Sequence, residues 1–463
     1  MIELKEMTLK SLLNKAKEKV NKTENIRYAS YTKEISRYDL VNIFKRARSI
    51  KDDRTFWHSY VDDFTIVGIG KMTVISGDEN SYDEINKQWR SCIDRSSIYN
   101  PSNQLGTGMI TMGGLAFDYK KERTKLWENY SNYELIIPKL TFSQYAGKAF
   151  VTANFKVTEE SVVEDEIAEM ESLIDMLLNK QMDFTIKARE VKSKVEIEPD
   201  EWKETVGQAR DEIIAEKAKK IVLAREMRLT FKERLIIGDV LEKLLETQPN
   251  SYVFAIEKGD DCFVGATPER LVKVEGNKLL STCLAGTAPR GKTTEEDRVI
   301  AHNLLNDSKN REEHDYVVQM IKGSIASSCE AIHIPSEPII YPLRNLQHLY
   351  TPVTAKIKKN YTLIDLVRKL HPTPALGGLP NDVAMEFIRK NEILDRGWYG
   401  APVGWMDDRW NGEFAVAIRS GLIQSNEASL FAGCGVMKDS EPELEYEETN
   451  VKFLPMLNVL EEK

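Results

Sequence analysis

Cysteine is scarce in this chain. Cys92, Cys262, Cys283, Cys329 and Cys434 are the only five among 463 residues, and no two form a CxxC pair. An odd, scattered set suggests neither a disulfide framework nor a zinc site. The N-terminal stretch MIELKEMTLKSLLNKAKEKVNK mixes charge throughout and lacks the apolar core of a secretion signal. No apolar run is long enough to span a bilayer, and no repeat of fixed period is visible. An excess of positive charge is also missing. The formal net charge is -9, which argues against a general binder of nucleic acid or membrane surfaces. Locally gathered cations could still hold a small acidic molecule. The expectation is a cytoplasmic protein that needs no nucleic acid, membrane or obligate protein partner.

What is present is enough length and apolar content for a sizeable core. The first residues, up to about 25, read as a charged amphipathic helix. Short β-branched runs between Ile26 and Val157 predict an antiparallel sheet with helix on at least one face. Leu135 to Phe155 reads as two strands of it. His58 stands alone there and reads as a packing or surface residue. Thr158 to Gln181 has apolar residues at helical spacing. The charged run Ile186 to Asp200 is the candidate linker, and a second helix covers Trp202 to Lys219.

Ile221 to Ala224 then read as a buried strand with Lys220 at its mouth and Arg225 within the pattern. Such a lysine is either solvated or partly desolvated and able to take a proton. Tyr252 to Glu257 and Asp261 to Gly265 form a hairpin pattern. Thr267-Pro268-Glu269 places a carboxylate just past a strand in a proline-fixed turn. Gly276-Asn277 separates two further strands, the second running into the small residues Leu284-Ala285-Gly286-Thr287. Thr293 to Ser327 is mostly helix; its His314 has no HExxH partner, which argues against a zinc protease. His348 is a candidate ligand contact near a strand. HPTPALGGLP, His371 to Pro380, reads as a loop. NGEFAVAIRSGLI reads as one strand, with Ala415, Ala417, Arg419 and Gly421 on one face. Arg419 there suits a carboxylate ligand or, equally, a structural salt bridge.

The C-terminal stretch FAGCGVMKDSEPELEYEETNVK combines these signals. Gly433 and Gly435 would let a ligand approach bare backbone. Asp439 and Ser440 read as helix-start residues, with Pro442 in the first turn. Glu445, Glu448 and Lys452 then share a helix face. That face suits a divalent ion with an anionic ligand, or is a solvated acidic surface.

Together, KIVLAR, GATPERL, LAGTAPRG, SKNREEHDYVV, HPTPALGG, DRGWYGAPVGW, EFAVAIRSGLI and FAGCGVMKDSEPELEYEETNVKF resemble the chorismate-utilising enzymes. The likeness is strongest to the isochorismate synthases of the menaquinone and siderophore pathways. The blocks run in family order from about Lys220 to Phe453; the first two hundred residues match loosely. The resemblance implies one large α/β (α+β) fold over residues 1–463, like that of anthranilate synthase component I. In it, large antiparallel sheets pack together with helices outside. Residues 1–200 would be a variable part completing the fold, and residues 201–463 the chorismate-binding catalytic region.

The resemblance also implies chorismate as substrate and Mg²⁺ as cofactor. Glu313, Glu445 and Glu448 match metal-site glutamates. Tyr399 and Arg419 match residues that hold the enolpyruvyl carboxylate. Gly286, Gly433 and Lys452 match further substrate contacts, and His348 a site histidine of open role. Lys220 matches the base that activates water, and Glu269 the acid that protonates the leaving hydroxyl. Relatives that use ammonia lack the lysine. Salicylate synthases keep it but resemble a pattern with threonine at Ala375 and KE at Lys309-Asn310, so this chain is expected to stop at isochorismate. The alternatives are a salicylate synthase or a siderophore-pathway isochorismate synthase; the extended N-terminal half favours menaquinone.

Overall fold

Two antiparallel sheets share a pair of long strands and so enclose the space between them. The computed structural model describes residues 8–21, 24–78, 82–179, 189–343 and 346–461. The shared strands are Phe64–Gly77 and Tyr133–Tyr145. A register shift between Lys71 and Thr73 divides their ladder into two halves, and a bulge of this kind adds twist and bends a strand.

From the half near Leu140, the first sheet continues on one side through Lys148–Val157 to Arg27–Ile35. On the other side it passes through Arg54–Ser59, Tyr252–Lys258, Asp261–Thr267, Ser420–Gln424 and Glu427–Val436. It then reaches Lys220–Phe231. From the half near Ile136, the second sheet runs through Ile110–Leu115, Pro402–Asp407, Gly412–Val416, Arg270–Glu275 and Lys278–Pro289 to Leu346–Ile357. Among these pairings only Arg27–Ile35 with Ser96–Tyr99 is parallel. Both sheets take strands from both halves of the chain. The α/β (α+β) class and the antiparallel sheets with outer helices are as expected.

Helices cover the outer faces for legible reasons. Val163–Asn179 buries Val163, Met170 and Leu177, two turns apart on one face. Pro199–Ile214 starts with proline in its first turn and buries Trp202, Val206, Ala209 and Ile213. Predicted hairpins at Lys258-Gly259-Asp260 and Gly276-Asn277 form in register, with left-handed glycines at 259 and 276.

Two expectations need correction. The linker placed at 186–200 is not one: Val191–Glu196 pairs with Met227–Phe231 as a strand of the first sheet. Its alternating charges read as solvent because both its faces are largely exposed at that sheet edge. Residues 186–188 of that stretch lie outside the described residues, as do 1–7 and 22–23 of the expected first helix, which is described as Leu9–Glu18. The predicted single strand through Arg419 is two, Gly412–Val416 and Ser420–Gln424. Arg419 between them has φ of 51°, a left-handed value that costs a non-glycine residue on the order of 1–3 kcal/mol. The alternation argument fails there, and the arginine's direction is set by this kink. The stretch after Thr293 is mostly helix, as expected, in two parts that meet at Asp307, which caps Ser308–Ile325 by accepting from the Asn310 amide at 2.7 Å.

Candidate active site

A cavity of about 480 Å³ opens beside the last strands of the first sheet. Lys220, Glu269, Gly286, Glu313, His348, Ala375, Tyr399, Arg419, Gly433, Glu445, Glu448 and Lys452 all line it. Every candidate residue is thus brought to one place, from seven or more separate elements.

Lys220 opens its strand, buried on the cavity side. Its Nζ donates to Glu313 Oε1 at 2.6 Å. The side chain crosses the bare backbone of Gly435, where a Cβ would stand 2.5 Å from Lys220 Cε. Gly435 is therefore small to admit the lysine, and it also lines the cavity, where the sequence led one to expect a glycine that lets a ligand approach. The loop His371–Pro380 docks on the edge of this strand, with Gly378 and Leu379 paired to Ile221 and Lys220. Ala375 stands in that loop.

Glu269 follows Pro268 in the turn between Asp261–Thr267 and Arg270–Glu275. Its side chain is buried, and among the described residues its carboxyl makes no hydrogen bond or ion pair. Desolvation pushes it up to about 7, against the opposing fields of Lys220 and Arg419. A carboxyl so placed carries a proton near neutral pH.

Gly286 sits at a bulge, with φ of 78° that only glycine adopts without strain. The bulge brings Thr287 opposite His348, and Thr287 Oγ1 bonds His348 Nδ1 at 2.9 Å. Burial, then the charges of Arg419 and Lys452, push this imidazole down to about 3, so the ring is neutral. Its Nε2 is buried without a partner.

Arg419 has no carboxylate within ion-pairing distance among the described residues. Among those residues its guanidinium donates one hydrogen bond, to the Lys452 carbonyl at 3.3 Å. This removes the structural salt-bridge reading and leaves a guanidinium facing the cavity. Tyr399 is buried beside it, its ring 5.3 Å from that of Phe431, and desolvation raises its hydroxyl above the ordinary tyrosine value.

The C-terminal helix Pro442–Leu460 supplies the remaining charges. Glu448 pairs with Lys452 at 2.5 Å, and Lys452 Nζ also donates to the Gly433 carbonyl at 2.8 Å. Ser440 does not cap the helix as expected, since the N-cap is Glu441. Instead Ser440 Oγ accepts from the Met437 amide at 2.9 Å and donates to Glu445 Oε1 at 2.6 Å. With its acceptor role filled, the hydroxyl hydrogen is directed at Glu445. Glu313 is opposed by desolvation, but the bonded Lys220 ammonium outweighs this and holds its carboxyl below the usual range. Glu313, Glu445 and Glu448 share the cavity, yet no three acidic, histidine or cysteine groups converge on one point among the described residues.

Sequence reasoning missed the contacts of Thr287 with His348 and of Ser440 with Glu445, and the buried pair Glu392–Arg396. Arg396 grips both oxygens of Glu392 at 2.6 and 2.7 Å and donates to the carbonyls of Leu376 and Val222. It thereby ties the Ala375 loop to the Lys220 strand. Arg396 lies in the DRGWYG block, but no local pattern marks what it holds. All five cysteines are free and buried. No helix among the described residues is long and apolar enough to cross a membrane.

Comparison with known proteins identifies the family and the fold. The family described as "Chorismate binding enzyme" matches residues 12–461. Isochorismate synthase MenF of Bacillus subtilis is 40% identical over 97% of this chain and 96% of its own length. The salicylate biosynthesis isochorismate synthase of Pseudomonas aeruginosa is 39% identical over 56% of this chain and 54% of its own length. The structure of the menaquinone-specific isochorismate synthase MenF of Escherichia coli superposes with a TM-score of 0.80 at 24% identity, covering 98% of both chains. Anthranilate synthase component I of Streptococcus pneumoniae superposes with a TM-score of 0.70 at 19% identity, covering 85% of this chain and 92% of that one. These two structural likenesses concern the fold. A match over nearly the whole chain, and a relative at 40% identity along its full length, make this protein a member of the chorismate binding enzyme family.

Proposed function

We propose that this enzyme is an isochorismate synthase, converting chorismate to isochorismate as the first step toward menaquinone. The observation that carries the reading is the pair Lys220 and Glu269 in one cavity, with Glu269 buried, unpaired and protonated near neutrality. Water is a poor nucleophile and hydroxide a poor leaving group, so adding one at C2 and losing the other from C4 needs a base and an acid together. Lys220 takes the proton from water, for which it must be neutral at that moment. Glu269 gives its proton to the departing hydroxyl. Each such group contributes about 10²–10⁴-fold. Similarity to the Bacillus subtilis MenF along nearly the whole chain supports the menaquinone assignment, since the MenF of Escherichia coli is menaquinone-specific; identity to the salicylate biosynthesis isochorismate synthase extends over about half the chain.

Arg419 and Tyr399 hold the enolpyruvyl carboxylate in this reading, with Gly286, His348, Gly433 and Lys452 lining the remaining surface. Arg419→Lys should raise the Michaelis constant for chorismate. An ammonium cannot make two parallel bonds to a carboxylate, and a lost charged hydrogen bond costs on the order of 1.5–3 kcal/mol. Steady-state kinetics check this; an unchanged constant removes Arg419 from carboxylate binding.

The donor set fits Mg²⁺: hard carboxylate oxygens on two helices, Glu445 fixed by Ser440, with room left for water. Glu313 and Glu445 would be direct ligands and Glu448 an outer one. When bound, the ion supplies positive charge against the ring carboxylate of the substrate. Glu313→Gln and Glu445→Gln should weaken Mg²⁺ binding far more than Glu312→Gln or Glu447→Gln, since the latter two side chains are exposed and line no part of the cavity. Metal titration of the four variants separates the pairs, and equal effects would refute the ligand assignment.

The function itself is tested by incubating the protein with chorismate and Mg²⁺, resolving products by chromatography, and reading pyruvate with lactate dehydrogenase. Isochorismate with little pyruvate is expected, because Ala375 offers a methyl group where the salicylate-forming pattern has a hydroxyl. Stoichiometric pyruvate and salicylate would make the enzyme a salicylate synthase instead.

A further inference from the structure

Five residues beyond Lys220 on the same strand, Arg225 is buried, its side chain 1% exposed. It is absent from the cavity lining, whereas Lys220, Val222 and Ala224 are present. Its guanidinium is committed to the C-terminal helix and one acidic neighbour. Nε donates to Thr449 Oγ1 at 2.7 Å, Nη2 to Asn450 Oδ1 at 2.5 Å and Nη1 to Glu196 Oε2 at 3.0 Å. The guanidinium carbon stands 3.9 Å from the centre of the Tyr446 ring and 4.9 Å from that of Phe453. Thr449 passes its own hydrogen to the Tyr446 carbonyl, and the Tyr446 hydroxyl donates to Glu196. The bonds close into a ring: Arg225, Thr449, Tyr446, Glu196.

Two features give this ring a consequence for the site. Tyr446, Thr449, Asn450 and Phe453 form one stripe of the helix, and Glu445, Glu448 and Lys452 another, about a third of a turn away at 3.6 residues per turn. Any roll of the helix about its axis therefore moves the second stripe. The residues that bury the helix in the core, Phe453, Met456, Leu457, Val459 and Leu460, all lie toward its C-terminal end; before Thr449 it buries none. The half carrying Glu445 and Glu448 is held to the core by Tyr446, which is partly buried beside the Trp202 ring. Outside the Arg225 ring it has the Ser440 contact, the surface pair Lys203–Glu443, the Lys203 ammonium over the Tyr446 ring and, through the Glu448–Lys452 pair, the Gly433 carbonyl.

A buried guanidinium is an inefficient way to add stability, since apolar replacements of buried ion pairs are often as stable. What its planar fork supplies is direction. We infer that Arg225 is a positioning residue of this active site: it ties the strand bearing Lys220 to the helix bearing Glu445, Glu448 and Lys452, and helps fix that helix's rotation so that its charges meet the cavity. This rests on the isochorismate synthase reading and its Mg²⁺ site.

The test uses the full-length protein, with Mg²⁺ titrated by calorimetry and folding followed by circular dichroism. Folded Arg225→Lys should bind Mg²⁺ about tenfold more weakly, the scale on which outer partners of metal ligands act, and kcat should fall with it. The double variant Arg225→Lys, Glu445→Gln should bind Mg²⁺ no more weakly than Glu445→Gln alone, because residues acting through one another are not additive. A merely structural arginine would lower the melting temperature and leave metal affinity and kcat of the folded protein at native values; that result, or additive losses, overturns the proposal. If Arg225→Lys does not fold, Tyr446→Phe and Thr449→Val keep the guanidinium while opening the ring. Weakened Mg²⁺ binding in both supports the role, and native binding in both overturns it. A native protein with no saturable Mg²⁺ site, or one that Glu445→Gln leaves intact, overturns the metal reading and this proposal together.

Discussion

Lys220→Ala is expected to abolish water addition while chorismate still binds. The loss should be at least the 10²–10⁴-fold typical of a positioned base, because among the described residues the other lysines of the cavity, Lys309 and Lys452, stand on other elements, away from the strand start that Lys220 occupies. Lys452, which also lines it, is held by Glu448 and the Gly433 carbonyl. The fold should survive. Lys220 is one residue at the start of a strand that is paired along its length with Glu427–Val436, and alanine fits against Gly435 without a clash. The substitution does leave Glu313 without the ammonium it accepts from at 2.6 Å, so a modest fall in melting temperature belongs to the expected result. Turnover and chorismate binding, measured on the same purified variant, separate loss of chemistry from loss of affinity. Near-normal turnover would remove Lys220 from the mechanism.

Glu269→Gln is expected to be as inactive, since an amide cannot protonate a leaving hydroxyl. This prediction has a pH signature. In the native enzyme the acid must be protonated, and its carboxyl is pushed up to about 7, so the rate should fall as pH rises through that value. Stability carries the matching sign. An ordinary glutamate ionises near 4.5 and the folded one near 7, so the folded state binds the extra proton between them. Stability associated with Glu269 is full below about 4.5, declines as pH rises, and is lost above about 7. Glutamine has no such loss. The variant should therefore melt above the native protein at pH 8 and close to it at pH 4, although it is dead at both. Calorimetric melting at the two values checks this. A native protein more stable relative to the variant at pH 8 would mean that Glu269 is ionised and paired, and the acid would have to be sought elsewhere. If the variant merely needed more chorismate at unchanged turnover, Glu269 would be a binding residue.

The sequence alone determined those features whose causes lie within a few residues. Hairpins at Lys258-Gly259-Asp260 and Gly276-Asn277 follow from turn chemistry, and the shared face of Glu445, Glu448 and Lys452 follows from helical spacing. The family blocks named the residues that would gather, because their order along the chain is a record of one fold. Tertiary structure decided everything that depends on a partner far away. Lys220 meets Glu313 across 93 positions and Arg225 meets Thr449 across 224, and no local pattern encodes such a pairing. It also decided that Gly435 is small for a lysine, that Ser440 serves Glu445 instead of the helix start, that Arg419 turns on a left-handed backbone, and that the charged run before Glu196 is an edge strand. The shift of Glu269 belongs here too. A carboxyl's affinity for its proton is set by the water removed around it, and only the folded chain removes it.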